Sequence, residues 1–121
     1  MVNINMIAFD GAGALNITFA SELISEDAGK SVEITTDKTV SVAATGKDVH
    51  GKAIKVEKDG AVNVQVKGYV EFYYTGTTAP KAGYSKLVGD GKGGVKVDDT
   101  AGREYLVLSV DAASKIVGIL L

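Results

Sequence analysis

Residues 53–74 read AIKVEKDGAVNVQVKGYVEFYY, and this stretch decides the fold class. Ile54 and Val56 alternate with Lys55 and Glu57; beyond Asp59-Gly60, Val62, Val64 and Val66 alternate with Asn63, Gln65 and Lys67. Successive side chains of a strand point to opposite sides, so apolar residues at every second position line one buried face. An Asp-Gly pair between two such runs accepts the positive φ of a type I′ turn, and the stretch therefore predicts a β-hairpin. Gly68 permits a bend or bulge, after which residues 69–74 continue as an aromatic-rich strand. Alternation there sets Tyr69, Glu71 and Tyr73 on one face and Val70, Phe72 and Tyr74 on the other.

The same reading extends in both directions. Towards the C-terminus, residues 85–88 and 95–97 are short strands flanking Gly89-Asp90-Gly91-Lys92-Gly93-Gly94. Residues 104–110 and 115–121 form a second hairpin around Asp111-Ala112-Ala113-Ser114. Apolar residues on both faces of that hairpin predict a central position, or a face covered by another subunit. Towards the N-terminus, residues 4–9 and 15–20 read as strands separated by Asp10-Gly11-Ala12-Gly13. Residues 21–28 tolerate one or two helical turns, and 32–34 pairs with 40–42 around Thr36-Asp37-Lys38. The sum is one compact all-β domain over residues 1–121, a β-barrel or β-sandwich of short antiparallel strands and hairpins with at most one short helix. Residues 53–121 are its clearest β core, and residues 1–20 form a strand pair or an arm.

Composition narrows the function. The chain has 121 residues, no cysteine and a net charge of −2. Disulfides, thiolate metal sites and cysteine nucleophiles are thereby excluded. Arg103 is the only arginine, and the lysines are scattered along the chain rather than gathered. A nucleic-acid surface draws on clustered arginine and lysine, so no nucleic-acid partner is expected. The apolar N-terminus is interrupted by Asn3, Asn5 and Asp10 and lacks a basic lead. Neither a membrane span nor a cleaved signal is expected, which points to a soluble product of the cytoplasm.

No residue constellation points to chemistry. His50 is the sole histidine; Asp48 is its nearest acidic neighbour in sequence, and a loop position accounts for it better than a metal or a catalytic base. Asp98-Asp99 lacks the regular oxygen-ligand spacing of a calcium loop and reads as a polar turn. Gly11-Ala12-Gly13 and the glycine run 89–94 are not followed by helices, so neither has the helix N-terminus that makes such loops bind phosphate. Glu57 and Glu71 lie on polar strand faces, and no serine occupies a nucleophile elbow. The chain is expected to be no enzyme and to hold no cofactor or metal.

What remains is contact. Tyr69 and Tyr73 offer an aromatic face of the kind that anchors protein interfaces or stacks on sugar rings. Ile119, Leu120 and Leu121 end the chain with an apolar run that favours cover over water. These five residues are the candidate interface.

A resemblance gives that contact a direction. Residues 68–121 carry Tyr74-Thr75-Gly76, Gly83-Tyr84, Lys86-Leu87-Val88, Gly93-Gly94-Val95-Lys96, Gly102-Arg103-Glu104-Tyr105-Leu106-Val107, Val110-Asp111 and the closing Gly118-Ile119-Leu120-Leu121. Together they resemble a group of small tailed-phage and prophage head proteins, the capsid decoration or cement proteins. The resemblance implies a β-barrel or sandwich that docks, as a monomer or a homotrimer, on the outside of an icosahedral head. Its partner is then the major capsid protein, its location the virion, and its effect the stabilisation of the expanded shell. The N-terminal third lies outside the resemblance. A tail-tube or baseplate domain, and a carbohydrate-binding module using the tyrosine face, are the competing expectations.

Overall fold

The computed structural model describes Phe9 and residues 11–121. The described chain is nearly all β, with one 3-10 turn at Ser25–Asp27 where one or two helical turns were expected. Strands β1 (Leu15–Phe19), β2 (Ser31–Thr36), β3 (Thr39–Val42), β4 (Gly51–Val56) and β5 (Val62–Lys67) form one sheet in the order β1-β5-β4-β2-β3. Strands β6 (Tyr69–Thr75), β7 (Gly83–Gly89), β8 (Val95–Val97), β9 (Arg103–Asp111) and β10 (Ile116–Leu120) close into a barrel in the order β10-β6-β8-β7-β9. Of the strand expected at residues 4–9, only Phe9 lies among the described residues, and it is outside any strand.

The β4–β5 hairpin forms as the alternation predicts, with two corrections. Its turn is not type I′: Asp59 keeps a negative φ, and only Gly60 (φ 88°) is left-handed. Gly60 N–H donates to Glu57 O at 3.0 Å, and Glu57 N–H to Ala61 O at 2.8 Å. The three-residue loop closes through a glycine bulge, and Asp59 Oδ1 caps it by accepting from Ala61 N–H at 3.1 Å. Second, the register shifts between Ala53 and Lys55, so Ala53 and Val56 face inward while Ile54 is 40% exposed. An extra residue in one strand reverses the phase of everything beyond it, which simple alternation does not reveal.

This hairpin belongs with the N-terminal strands. Val32, Val40, Ala53, Val56, Val62 and Val64 make one buried cluster, against which Phe19, Leu23 and Val66 pack. The sheet curls until its edges meet at a single parallel bridge, Ala20 to Thr39. Gly68 then turns the chain into the barrel. It is buried with φ at 97°, and a Cβ there would lie 2.6 Å from Ala12 O and 2.7 Å from Gly13 C.

In the barrel, Val70, Phe72 and Tyr74 of β6 point inward with Leu87, Val95, Tyr105, Val107, Val117 and Ile119. The inward set of β6 is therefore the one alternation predicts. The second hairpin, β9–β10, is also present, and β10 lies between β9 and β6 with both edges paired. Closure comes from a short parallel contact, Tyr74 with Val95 and Thr75 with Lys96.

The segment between β3 and β4 joins the two sheets. Ala43 and Val49 are members of the barrel core. The glycine run 89–94 is the matching surface: Ser31 N–H donates to Gly93 O at 2.9 Å, Ser31 Oγ to Gly94 O at 2.8 Å, and Gly89 N–H to Lys47 O at 2.8 Å. Tyr105 pins the segment from inside by donating its hydroxyl to Val49 O at 2.6 Å. Burial raises the Tyr105 pKa above its ordinary 10.0, outweighing the opposing pull of Arg103, whose guanidinium lies 5.3 Å from the ring centre. The folded state thus holds this proton more tightly than the unfolded chain does. Its contribution is complete below the unfolded value and is lost as pH rises through the folded one. Tyr105→Phe is expected to cost about 1–3 kcal/mol, because Val49 O loses its buried donor. It should also remove a tyrosine that titrates above the ordinary value of 10.0 from an ultraviolet pH titration, which checks the assignment separately from stability.

Candidate functional site

The outer wall of the barrel carries a continuous apolar row that the sequence does not display. Tyr84 of β7 sits opposite Leu106 of β9, Leu106 opposite Leu120 of β10, and Leu120 opposite Tyr69 of β6. Directly opposed residues share a face, so all four side chains project outward. Tyr84 is 72% exposed, Leu120 39% exposed and Leu106 half-buried. Leu108, also exposed, stands beside the row where the β9 register shifts against β10. On one flank Lys86 faces Glu104 across β7 and β9, giving the row a polar margin. An apolar centre with a charged rim is the composition of a protein contact surface.

Tyr69 ends the row but offers little surface. It is only 5% exposed: Phe9 packs edge-on against it with ring centres 5.3 Å apart. Its hydroxyl donates to Glu71 Oε2 at 2.7 Å and lies 3.0 Å from Ser109 Oγ. Gly118 lets the ring lie flat on the wall, since a Cβ there would collide with the tyrosine hydroxyl. Tyr73 is 67% exposed, yet it stands about 13 Å along β6 from Tyr69, next to Ile116 and beside the hollow formed by Lys52 and Glu71. The two tyrosines share a face without making one surface.

The C-terminal candidates divide in the same way. Ile119 is fully buried inside the barrel, Leu120 belongs to the outer row, and half-buried Leu121 packs against the core. Ile119 is therefore a core residue within one chain. Tyr84, Leu106 and Leu108 are not legible in the sequence as one surface, because their adjacency comes from β7–β9–β10 register.

His50, Asp98 and Asp90 each bond nearby backbone amides. His50 precedes β4, and its Nδ1 accepts from Ile34 N–H at 2.9 Å while its backbone N–H donates to Val32 O at 2.9 Å. The imidazole thus extends the short β2–β4 ladder in place of a backbone carbonyl. Asp98 Oδ1 accepts from the Thr100 and Ala101 amides, both at 3.0 Å, and these bonds hold its pKa below the ordinary carboxylate value. The buried Asp90 organises the glycine run: Oδ1 accepts from Lys92 N–H at 2.8 Å and Gly94 N–H at 2.9 Å, and Oδ2 from Thr75 Oγ1 at 3.1 Å. Among the described residues, no three His, Cys, Asp or Glu side chains gather in a way that would hold a metal ion. No helix among them is long and apolar enough to cross a membrane.

A scan of protein-family models finds no match to this chain, and none of the curated proteins matches it.

Proposed function

We propose that the chain is a non-enzymatic viral structural protein, a capsid decoration or cement protein that binds the outer surface of a tailed-phage head. The observation that carries this reading is the outer row Tyr84–Leu106–Leu120, set on a closed barrel. That barrel, residues 69–120, is built from the stretch that resembles the decoration proteins. A closed barrel is suited to such a role, because pairing around the ring holds its contact residues in fixed register. Docking across neighbouring capsid subunits makes their separation cost the protein its contacts, so bound copies stabilise the expanded shell by mass action.

Co-sedimentation of the purified protein with unexpanded and expanded heads tests the reading. Saturable binding to expanded heads, at a fixed number of copies per capsomer, is the expected result. Leu120→Glu and Tyr84→Ala are each expected to weaken that binding at least about tenfold, the effect of losing a contact worth about 1.4 kcal/mol. Both side chains are largely outside the core, so circular dichroism should be unchanged. Absence of binding to either head form would discard the cement reading in favour of a tail component or a glycan-binding module. Spontaneous rings or tubes would identify the first, and tyrosine fluorescence quenched by glycans the second.

A further inference from the structure

β8 is short, and its length leaves a hollow beside β7. It pairs with β7 only from Leu87 to Gly89, whereas β9 follows β7 from Gly83 to Leu87. Among the described residues, the first half of β7 therefore has a strand on one side alone. Residues 78–81 of the β6–β7 loop and Asp99 of the turn after β8 border the other side, around a space of about 350 Å³. Pockets for small ligands run from about 300 to 1,000 Å³, so this one suits a small occupant.

The walls are fixed before any ligand arrives. Ser85 Oγ donates to Lys81 O at 3.0 Å and accepts from Lys81 N–H at 3.1 Å, and the neighbouring Pro80 is buried. Asp98 N–H donates to Lys86 O at 3.0 Å, while the Asp98 carboxylate holds the Thr100 and Ala101 amides. A site built in this way loses little conformational freedom on binding.

Four charged side chains line the hollow: Lys81, Lys86, Asp99 and Glu104. Lys86 and Glu104 sit directly opposite each other on β7 and β9, yet they form no ion pair. Among the described residues, ion pairs join Lys30 to Asp27 and Lys55 to Glu57, and none of these four side chains is engaged. The charges cancel, so an anion would meet two carboxylates and a cation two ammonium groups. A neutral hydroxyl suits both signs, because it donates and accepts. Tyr84, 72% exposed, completes the lining with the apolar face of its ring. Several adjacent hydroxyls on a ring with an apolar C–H face describe a pyranose sugar.

We propose that this hollow binds a neutral mono- or disaccharide, stacked on Tyr84 and hydrogen-bonded through its hydroxyls to the lysines and carboxylates around it. Tyr69 and Tyr73 play no part in the site. The proposal does not rest on the capsid reading, and its test needs no heads.

The backbone amide spectrum of the whole chain is followed by nuclear magnetic resonance during titration with methyl glucoside, methyl galactoside, methyl mannoside, N-acetylglucosamine and maltose. At least one of these should give saturable shifts at Lys81, Tyr84, Lys86, Asp99 and Glu104 while Tyr73 stays unmoved. Glu104→Ala and Tyr84→Ala should each weaken that binding about tenfold, through loss of a charge-assisted hydrogen bond and of the stacking ring. Tyr84→Phe keeps the ring and should bind within about twofold of the unaltered protein. All these side chains are exposed, so unchanged signals from core residues Val107 and Val117 should show that the variants fold. Absence of a saturable shift with every one of the sugars overturns the proposal. Shifts centred on Tyr73, or binding that either alanine variant leaves intact, overturn it equally. Tighter binding of glucuronate or glucosamine than of methyl glucoside does so as well, because the hollow would then select a charge.

Discussion

Gly68→Ala is expected to destabilise the protein by at least about 3 kcal/mol, among the largest losses from any single methyl addition here. Two costs add. A φ of 97° disfavours any residue with a Cβ, and that Cβ would press on main-chain atoms of Ala12, Gly13 and Ala14 at 2.6–2.8 Å. Main chain does not move aside as a side-chain tip does. Gly83 separates the two costs. Its φ is 95°, but nothing lies within 4 Å of the corresponding Cβ position. Gly83→Ala should cost only the conformational part, about 1–2 kcal/mol. The difference in denaturation midpoint between the two variants measures how tightly residues 12–14 are held against the start of the barrel. Equal midpoints would show that this packing contributes nothing.

The second large effect is expected at Asp90. Its carboxylate receives two backbone amides and the Thr75 hydroxyl while largely buried. Hydrogen bonds to a charged group contribute about 1.5–3 kcal/mol each, and deletion leaves the buried Gly94 amide without its acceptor. Asp90→Ala is expected to cost about 3–4 kcal/mol by urea denaturation. Asp90→Asn keeps Oδ1 for the two amides and turns an NH₂ towards Thr75, whose hydroxyl accepts as readily as it donates. It should therefore cost less than half as much. Because Ser31 and Thr45 bond the carbonyls of Gly94 and Asp90, the alanine variant should also loosen the union of the two sheets. Faster amide exchange at Ser31, whose N–H donates to Gly93 O, would report it.

Local pattern and long-range register account for what the sequence does and does not disclose. Both hairpins, the β6 face assignment and the turn at Gly89-Asp90-Gly91-Lys92-Gly93-Gly94 depend on neighbours within a few residues, and all are legible. The grouping of strands is not. Nothing near residues 51–67 states that the hairpin joins β1 and β2 rather than the barrel that follows it. Barrel closure rests on the two-residue parallel contact of β6 with β8, which leaves no periodic trace. Bulges hide more: the shift at Ile54 exposes an isoleucine that alternation buries, and the one opposite Gly118–Ile119 displaces Leu108. The candidate surface suffers most from this. Leu120 is legible as an apolar residue in need of cover, but the row it completes with Tyr84 and Leu106 exists only through pairing across three strands.

That dependence also has an order in time. The β4–β5 hairpin closes between adjacent residues and forms as soon as both strands exist. β6 must wait for β10, whose Leu120 pairs with Tyr69 and whose Ile116 pairs with Tyr73, at the far end of the barrel sequence. Pairing across such a span is slow relative to hairpin formation. A growing chain therefore completes its first sheet while the second is still an open ribbon. The outer row comes into being only at the moment of closure, so a partner that grips it selects finished molecules and passes over nascent ones.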